Sequence, residues 1–555
     1  MRALIPFLKL FRRQLKWMTI GTLLAFLAIL ASIGLLSLSG WFISATGFVA
    51  TASIIVAHQF NYFYPAAGVR AFSVLRIVTR YGERVFTHEA TFKLLTDVRL
   101  WIYNRLLPLA PSHLMEYKSG DLLSRLVNDV NQLDNLYIRI ISPTIVLLLS
   151  ILLIGVFFSF LSLSIALFTM GFAAFAGFVV PLISAQLAKK NANQLAQETA
   201  ILKTAITQHI HSMAELKIFN ADHSHAKEIH MQSKALIHSQ QKMAFFSGFG
   251  SFLMTLSLGA AIWVSLWISV SLVETGKLNG AFVALFALGI MGLFEAIMPL
   301  PVAYQYLGQT LKSAKRILTL TQQKPSVVFP QSADKLELIS KDNASITFNH
   351  VCFGYSPHTK VLQDFNLVIQ AKEKIALFGP TGSGKSTIVN LLARFWDPES
   401  GEILIGKNNI THFDEKSLYQ NITIISQHAH IFNNTIKENL KIAKEDATDD
   451  ELYHALDLVD LKDFVKSLPN QLNSWTGELG KHLSKGQMRR LTLARMLLSD
   501  APIIVLDEPT EGFDKITEAK VMNSIWTHLQ DRTLILITHN QTLLNKVDRV
   551  VYFGS

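Results

Sequence analysis

A chain of 555 residues with 50% hydrophobic and only 17% charged side chains carries too much apolar surface and too little charge to be disordered. Its single cysteine, Cys352, excludes an intramolecular disulfide framework. A formal charge of +10 suits either a nucleic-acid binder or a membrane protein that gathers Lys and Arg on one side, so the distribution of charge along the chain decides.

That distribution points to a membrane and away from nucleic acid. Residues 17–38 are uncharged and, at about 1.5 Å per residue, reach roughly 33 Å, enough to cross a hydrocarbon core. The run stays apolar through Gly40, Trp41 and Phe42 without a small-residue cleavage site, which predicts a retained span over about 17–43 rather than a signal peptide. A span over about 60–86 is harder to see, because Arg70, Arg76, Arg80, Glu83 and Arg84 interrupt it and must face protein, water or ligand. Clear spans follow at about 139–160, 163–183, 245–271 and 280–304.

Orientation follows from the short loops. The leader holds Arg2, Lys9, Arg12, Arg13 and Lys16, whereas 39–59 has neither Lys nor Arg, which predicts a cytoplasmic N-terminus. The long polar stretches 87–136 and 184–243 are rich in Lys and Arg and read as cytoplasmic helical extensions of the spans. Near their turns, Gly120–Arg125 and Ala214–Phe219 are candidate docking segments for a cytoplasmic domain, with a solvated hairpin as the equal alternative. The histidines at 209, 211, 223, 225 and 230 lack paired ligand spacing and suit a solvated face. Glu295, in the last span, is either functional or a structural hydrogen-bonding group.

Composition changes after about 322. A polar linker leads to a region where β-branched runs alternate with amphipathic helices, the pattern of an α/β domain. There, Gly379-Pro380-Thr381-Gly382-Ser383-Gly384-Lys385-Ser386-Thr387 follows a strand-like run and precedes a helical one. Its glycines let backbone N–H groups curl around phosphate oxygens, Lys385 supplies charge to the β- and γ-phosphates, and the Ser386 hydroxyl ligates Mg²⁺. Downstream, Ile503–Glu508 reads as a buried strand ending in two carboxylates, Asp507 to hold Mg²⁺ and Glu508 to polarise an attacking water. Cys352 is predicted to be simply buried.

The phosphate loop, Gln427, the run Leu483-Ser484-Lys485-Gly486-Gln487, the Asp507–Glu508 pair, Asp514 and His539 resemble, in order and spacing, the nucleotide-binding domain of ATP-binding-cassette (ABC) transporters. The resemblance implies a six-helix, all-α type IV exporter transmembrane domain over 1–321, a linker over 322–343, and an α/β P-loop NTPase nucleotide-binding domain over 344–555. It implies that Tyr355 stacks on adenine, that Gln427 joins Ser386 and Asp507 at Mg²⁺, and that His539 contacts the γ-phosphate. Glu478 resembles an exporter element that touches the docking helices. Six spans fused to one such domain imply a half-transporter, because Ser484, Gly486 and Gln487 would complete the ATP site of the other half. Lys485 stands where the usual signature has Gly, which adds a cation near the partner's nucleotide.

In the membrane half, Met1–Pro6, Leu36–Phe42, Phe60–Tyr62 and Pro65–Arg70, together with Glu508–Gly512, resemble the CydC subunits of CydDC-type heterodimeric exporters. That narrower resemblance implies a CydD-like partner, a bacterial inner membrane, export of L-cysteine and glutathione, and support of cytochrome bd assembly. It also implies haem as regulator or cargo. His88, four residues beyond the Arg76, Arg80, Arg84 stripe, is the candidate haem b contact, with the arginines placed to meet propionates. The last predicted strand lies close to Ser555, short of the helical tail that the resemblance implies. The rival readings are a haem transporter and a nucleotide-gated channel, and the complete Gln427, Glu508, His539 set favours turnover over the channel.

Overall fold

The structure, a computed structural model, describes residues 2–51, 60–109, 112, 114, 117, 119–330, 339–356, 359–427 and 430–553. The chain divides into two compact units, one of 1–107 with 117–323 and one of 108–116 with 324–555.

The first unit is all helical. Five runs among the described residues are long and apolar enough to cross a membrane: Ile5–Thr51, Gly120–Ser159, Leu163–His211, Asp222–Glu274 and Ala281–Thr321. Their shared core includes Ile33, Leu147, Phe158, Phe286 and Phe294, with Phe158 edge-on to Phe286 at 4.9 Å. The expected extensions are helical as well. The helix Phe63–Leu106 runs unbroken past 86, and Val180–His211 and Asp222–Glu274 flank a short helix at Met213–Ile218. At that turn Ile218 and Phe219 are 79% and 80% exposed, an apolar tip of the kind that marks a contact surface.

The second predicted span is the exception to the hydropathy rule. It lies within Phe63–Leu106, a helix whose charges keep it out of the apolar class. Those charges are matched by tertiary partners. Glu295 Oε1 accepts from Arg76 Nη2 at 3.0 Å and Arg80 Nη2 at 2.8 Å, and Glu295 Oε2 accepts from the Ser32 hydroxyl. One carboxylate thereby ties three helices and offsets two cations that lipid would not tolerate. Of the two readings open for Glu295, the structural one is therefore occupied in full view. Glu295→Gln leaves two guanidinium groups without a counter-charge and should cost roughly 1–3 kcal/mol, the low end reflecting partial solvent screening. Thermal unfolding in detergent should show a lower midpoint, and an unchanged midpoint would contradict the clamp.

The predicted span 280–304 is also interrupted. One helix ends at Ile297 and the next begins at Leu300, because Pro299 and Pro301 lack the N–H groups that a continuous helix needs.

The second unit holds two sheets. Strands β1 (Ile346–Ser356), β2 (Thr359–Ile369), β4 (Ser400–Ile405) and β5 (Asn408–Asn409) form an antiparallel sheet in the order β2-β1-β4-β5. Strands β3 (Lys374–Phe378), β6 (Ile422–Ile425), β7 (Ile503–Asp507), β8 (Thr533–Ile537) and β9 (Arg549–Tyr552) form a parallel sheet in the order β6-β7-β8-β3-β9. Strands β7 and β8 are buried at every residue, which is why they read as unbroken apolar runs. Since β3, β6, β7 and β8 are parallel neighbours, their C-terminal ends share one edge, where open α/β sheets bind ligands. The linker residues that are described pack on this unit. Phe329 lies under the Arg394 guanidinium at 4.6 Å, and Ile339 N–H donates to Asn421 Oδ1 at 2.7 Å.

Candidate functional site

The chain leaves β3 at Phe378 and curls back into the helix Lys385–Leu392. The turn needs glycine at 384, which caps that helix with a left-handed φ of +98°. A helix N-terminus facing the strand-end rim offers unpaired N–H groups to an anion. Lys385 is buried, and its ammonium donates to the carbonyls of Gly379 and Pro380, both at 2.7 Å. Burial lowers its pKa, while the charges of Glu508 and Asp507 raise it.

Glu508, one residue past β7, has a left-handed φ of +48°, an uncommon and strained backbone state for a side-chain-bearing residue. Its N–H is held by the carbonyl of Ile537 at 2.8 Å. Its carboxylate lies 3.7 Å from His539 Nε2, at the end of β8. Burial pushes the Glu508 carboxyl above the usual carboxylate range; the nearby His539 charge draws it down, and Asp507 and Glu511 push it up.

These ends converge on one cavity of about 580 Å³. Tyr355, Thr381, Gly382, Gly384, Lys385, Ser386, Thr387, Gln427, Asp507, Glu508 and His539 all line it. Tyr355 is half exposed, edge-on to Trp396 at 5.2 Å, and its hydroxyl accepts from Asn390 Nδ2 at 2.9 Å, so its ring is braced at the rim. The phosphate loop's Gly379, Pro380 and Ser383 do not line the cavity but serve Lys385, the Ser383 hydroxyl at 3.4 Å. Oxygen donors from Ser386, Gln427 and Asp507 share this cavity, a hard-oxygen set that fits Mg²⁺.

Ser484, Gly486 and Gln487 stand apart from it at the start of the helix Lys485–Leu497. There Ser484 and Gln487 form a capping box: Ser484 N–H donates to Gln487 Oε1 at 2.8 Å, and Gln487 N–H donates to Ser484 Oγ at 3.2 Å. Gly486 is needed for a close approach, since a Cβ there would lie 3.1 Å from the Gly512 carbonyl oxygen.

Two contributors escaped the sequence reading. Arg489 is buried, and its guanidinium donates to the carbonyls of Ser426 at 2.6 Å, Glu508 at 2.7 Å, Pro509 at 3.3 Å and Asp507, pinning the ends of β6 and β7 together. Glu511 accepts from Gln427 Nε2 at 3.3 Å and lines the same cavity. The paired Arg489-Arg490, followed directly by the apolar positions Leu491, Leu493, Ala494, Met496 and Leu497, was the available signal for the first.

Arg76 and Arg80 are engaged by Glu295, and His88 is exposed, its ring 6.1 Å from that of Phe92. Glu89, beside His88 in the chain, pairs with Lys93 at 2.9 Å. The stripe thus sets one carboxylate against three guanidinium groups, with the exposed imidazole one turn beyond Arg84.

Residues 19–297 match the ABC transporter transmembrane region family, and residues 362–511 match the ABC transporter family. The chain is 36% identical over 553 residues to the glutathione/L-cysteine transport system ATP-binding/permease protein CydC of Escherichia coli, covering 99% of this chain and 95% of that protein. It is 34% identical to the like-named protein of Haemophilus influenzae, covering 99% and 94%. A bacterial Atm1-family ABC exporter with ATP bound shares the fold, with a TM-score of 0.82 at 20% identity over 98% of this chain and 93% of that one.

Proposed function

Because this chain belongs to the ABC transporter family and, within it, to the CydC group, we propose that it is one half of a heterodimeric exporter that couples ATP hydrolysis to efflux of L-cysteine and glutathione. The observation that carries the two-halves reading is the separation of Ser484, Gly486 and Gln487 from the cavity lined by Tyr355, Lys385, Ser386, Gln427, Asp507, Glu508 and His539. A CydD-like partner would supply the missing segment to this cavity and receive this one. The similarity to bacterial relatives supports a bacterial inner membrane, and the charge distribution supports an N-terminus and nucleotide-binding unit in the cytoplasm. In such an arrangement the segments around 120–125 and 214–219 would serve as docking elements.

Within the cavity, Lys385 and the loop N–H groups hold the phosphates, and Tyr355 offers its ring to adenine. Ser386, Gln427 and Asp507 would hold Mg²⁺, which supplies charge neutralisation on the phosphates. Glu508 accepts a proton from the water that attacks the γ-phosphorus, a task helped by its raised pKa, and His539 donates toward the γ-phosphate oxygens.

A pH dependence follows. Glu508 must be ionised to accept a proton, so ATPase activity should fall as pH drops through its raised pKa, above the ordinary carboxylate range. His539→Gln removes the charge that draws this pKa down, and the acid limb of normalised kcat should move to higher pH. An acid limb that stays put or moves lower would contradict the coupling.

The two-halves reading is tested by purifying this chain alone and with a CydD-like half, then measuring ATPase with L-cysteine, glutathione and haem added separately. Thiol-stimulated turnover by the pair and little by the single chain is expected. Equal turnover by the single chain would refute the partner requirement, and stimulation by haem alone would replace the cargo.

A further inference from the structure

The membrane unit contains a partly open cavity of about 440 Å³, within the range of small-molecule sites. It opens where the proline break at 298–299 meets the helices that carry residues 25–29, 80–87 and 138–146. Its wall is largely apolar, with Ile29, Val146 and Val302 among the lining residues, yet four charged side chains also line it: Arg80, Glu83, Arg139 and Glu295.

These four are not equivalent. Arg80 and Glu295 are bonded to each other at 2.8 Å. Arg139 stands over the ring of Tyr306, at 5.3 Å, with Asp134 as a charged neighbour, and Glu83 has Arg80, Arg84 and His88 nearby; among the described residues neither Arg139 nor Glu83 forms a close ion pair or a side-chain hydrogen bond. Charged groups of both signs that lack a direct hydrogen-bonding partner beside apolar walls are costly at membrane depth unless they face water or a ligand that bonds them. One cation and one anion in the same cavity, each without a directly bonded partner, describe the complement of a zwitterion.

We propose that this cavity binds the amino-acid head group of a small zwitterionic solute, its carboxylate on Arg139 with Arg80 beside it and its ammonium on Glu83. The proposal rests on the thiol-export reading and deepens it, since L-cysteine and glutathione each carry a free α-ammonium and a carboxylate. No cysteine or histidine is among the residues lining the cavity, so the site reads the head group rather than the sulfur.

The test is equilibrium binding of labelled L-cysteine, kept reduced, to the full transporter with its partner half in nanodiscs. L-alanine should compete within about tenfold of L-cysteine, while cysteamine, lacking the carboxylate, and 3-mercaptopropionate, lacking the ammonium, should each be at least tenfold weaker. Arg139→Gln should weaken L-cysteine at least tenfold, Arg139→Lys should recover part of the loss, and Glu83→Gln should abolish discrimination against 3-mercaptopropionate. Variants are compared only where size exclusion shows an intact pair. The proposal is overturned if cysteamine competes as well as L-cysteine, if Arg139→Gln binds normally, or if the wild type binds neither L-cysteine nor L-alanine. Vesicle assays separate the two levels. Thiol export that is unaffected by Arg139→Gln removes the site and keeps the exporter reading, whereas Arg139-dependent alanine binding without thiol export supports the site and removes the thiol reading.

Discussion

Glu508→Gln should lower ATPase turnover by roughly 10²–10⁴-fold while leaving ATP binding close to normal. The loss follows from removing a carboxylate that, alone among the described residues, combines three features: a place at the strand-end cavity, a raised pKa and a 3.7 Å approach to His539. Binding survives because Lys385 and the loop N–H groups are untouched, and a neutral amide fits the same volume. The strained φ of +48° at this residue persists in the variant, so the substitution isolates chemistry from backbone geometry. The measurement must be made in the assembled pair with the corresponding acid of the partner already substituted, so that turnover at the other site does not mask the loss. Near-normal turnover in that background would remove Glu508 from the reaction.

Arg489→Met should destabilise the nucleotide-binding unit by roughly 3–5 kcal/mol and reduce turnover as well. Five carbonyls, from Ser426, Gln427, Asp507, Glu508 and Pro509, lose a charged donor, and some of them are left buried without a partner. Because these carbonyls belong to the ends of β6 and β7, the same change loosens Gln427 and Glu508 relative to one another. Arg489 is thus a positioning residue, and the readout that separates this role from bulk stability is the acid limb of the pH profile, which should shift as the surroundings of Glu508 change. Thermal unfolding gives the first effect and the pH profile the second. A variant with a wild-type midpoint would show that the carbonyls find other donors.

What could be read in the sequence is what is local in the chain. The phosphate loop announces itself because nine consecutive residues carry its turn, its charge and its hydroxyl, and the strand before Asp507 because a strand buried on both faces must be apolar throughout. The first span is legible for the same reason. Arg489 was not, since its partners come from two strand ends some 18 to 63 residues away in sequence. The second span resists a hydropathy reading because the counter-charge that allows Arg76 and Arg80 into the bundle is Glu295, 215 residues beyond Arg80. That same pairing explains why the arginine stripe suggested an anionic ligand. Its regular spacing was visible, whereas the acidic side chain that meets it was placed by tertiary packing.

The central claim is that nucleotide hydrolysis by this chain and its partner drives thiols out of the cytoplasm. It is tested most directly with inside-out vesicles containing both halves, scored for accumulation of labelled glutathione and L-cysteine, with haem in parallel. The account predicts thiol accumulation with ATP and Mg²⁺, none with a non-hydrolysable ATP analogue, and a severe loss when Glu508→Gln is combined with substitution of the partner's corresponding acid. Thiol flux that persists with the analogue, or haem accumulation without thiol accumulation, would contradict it.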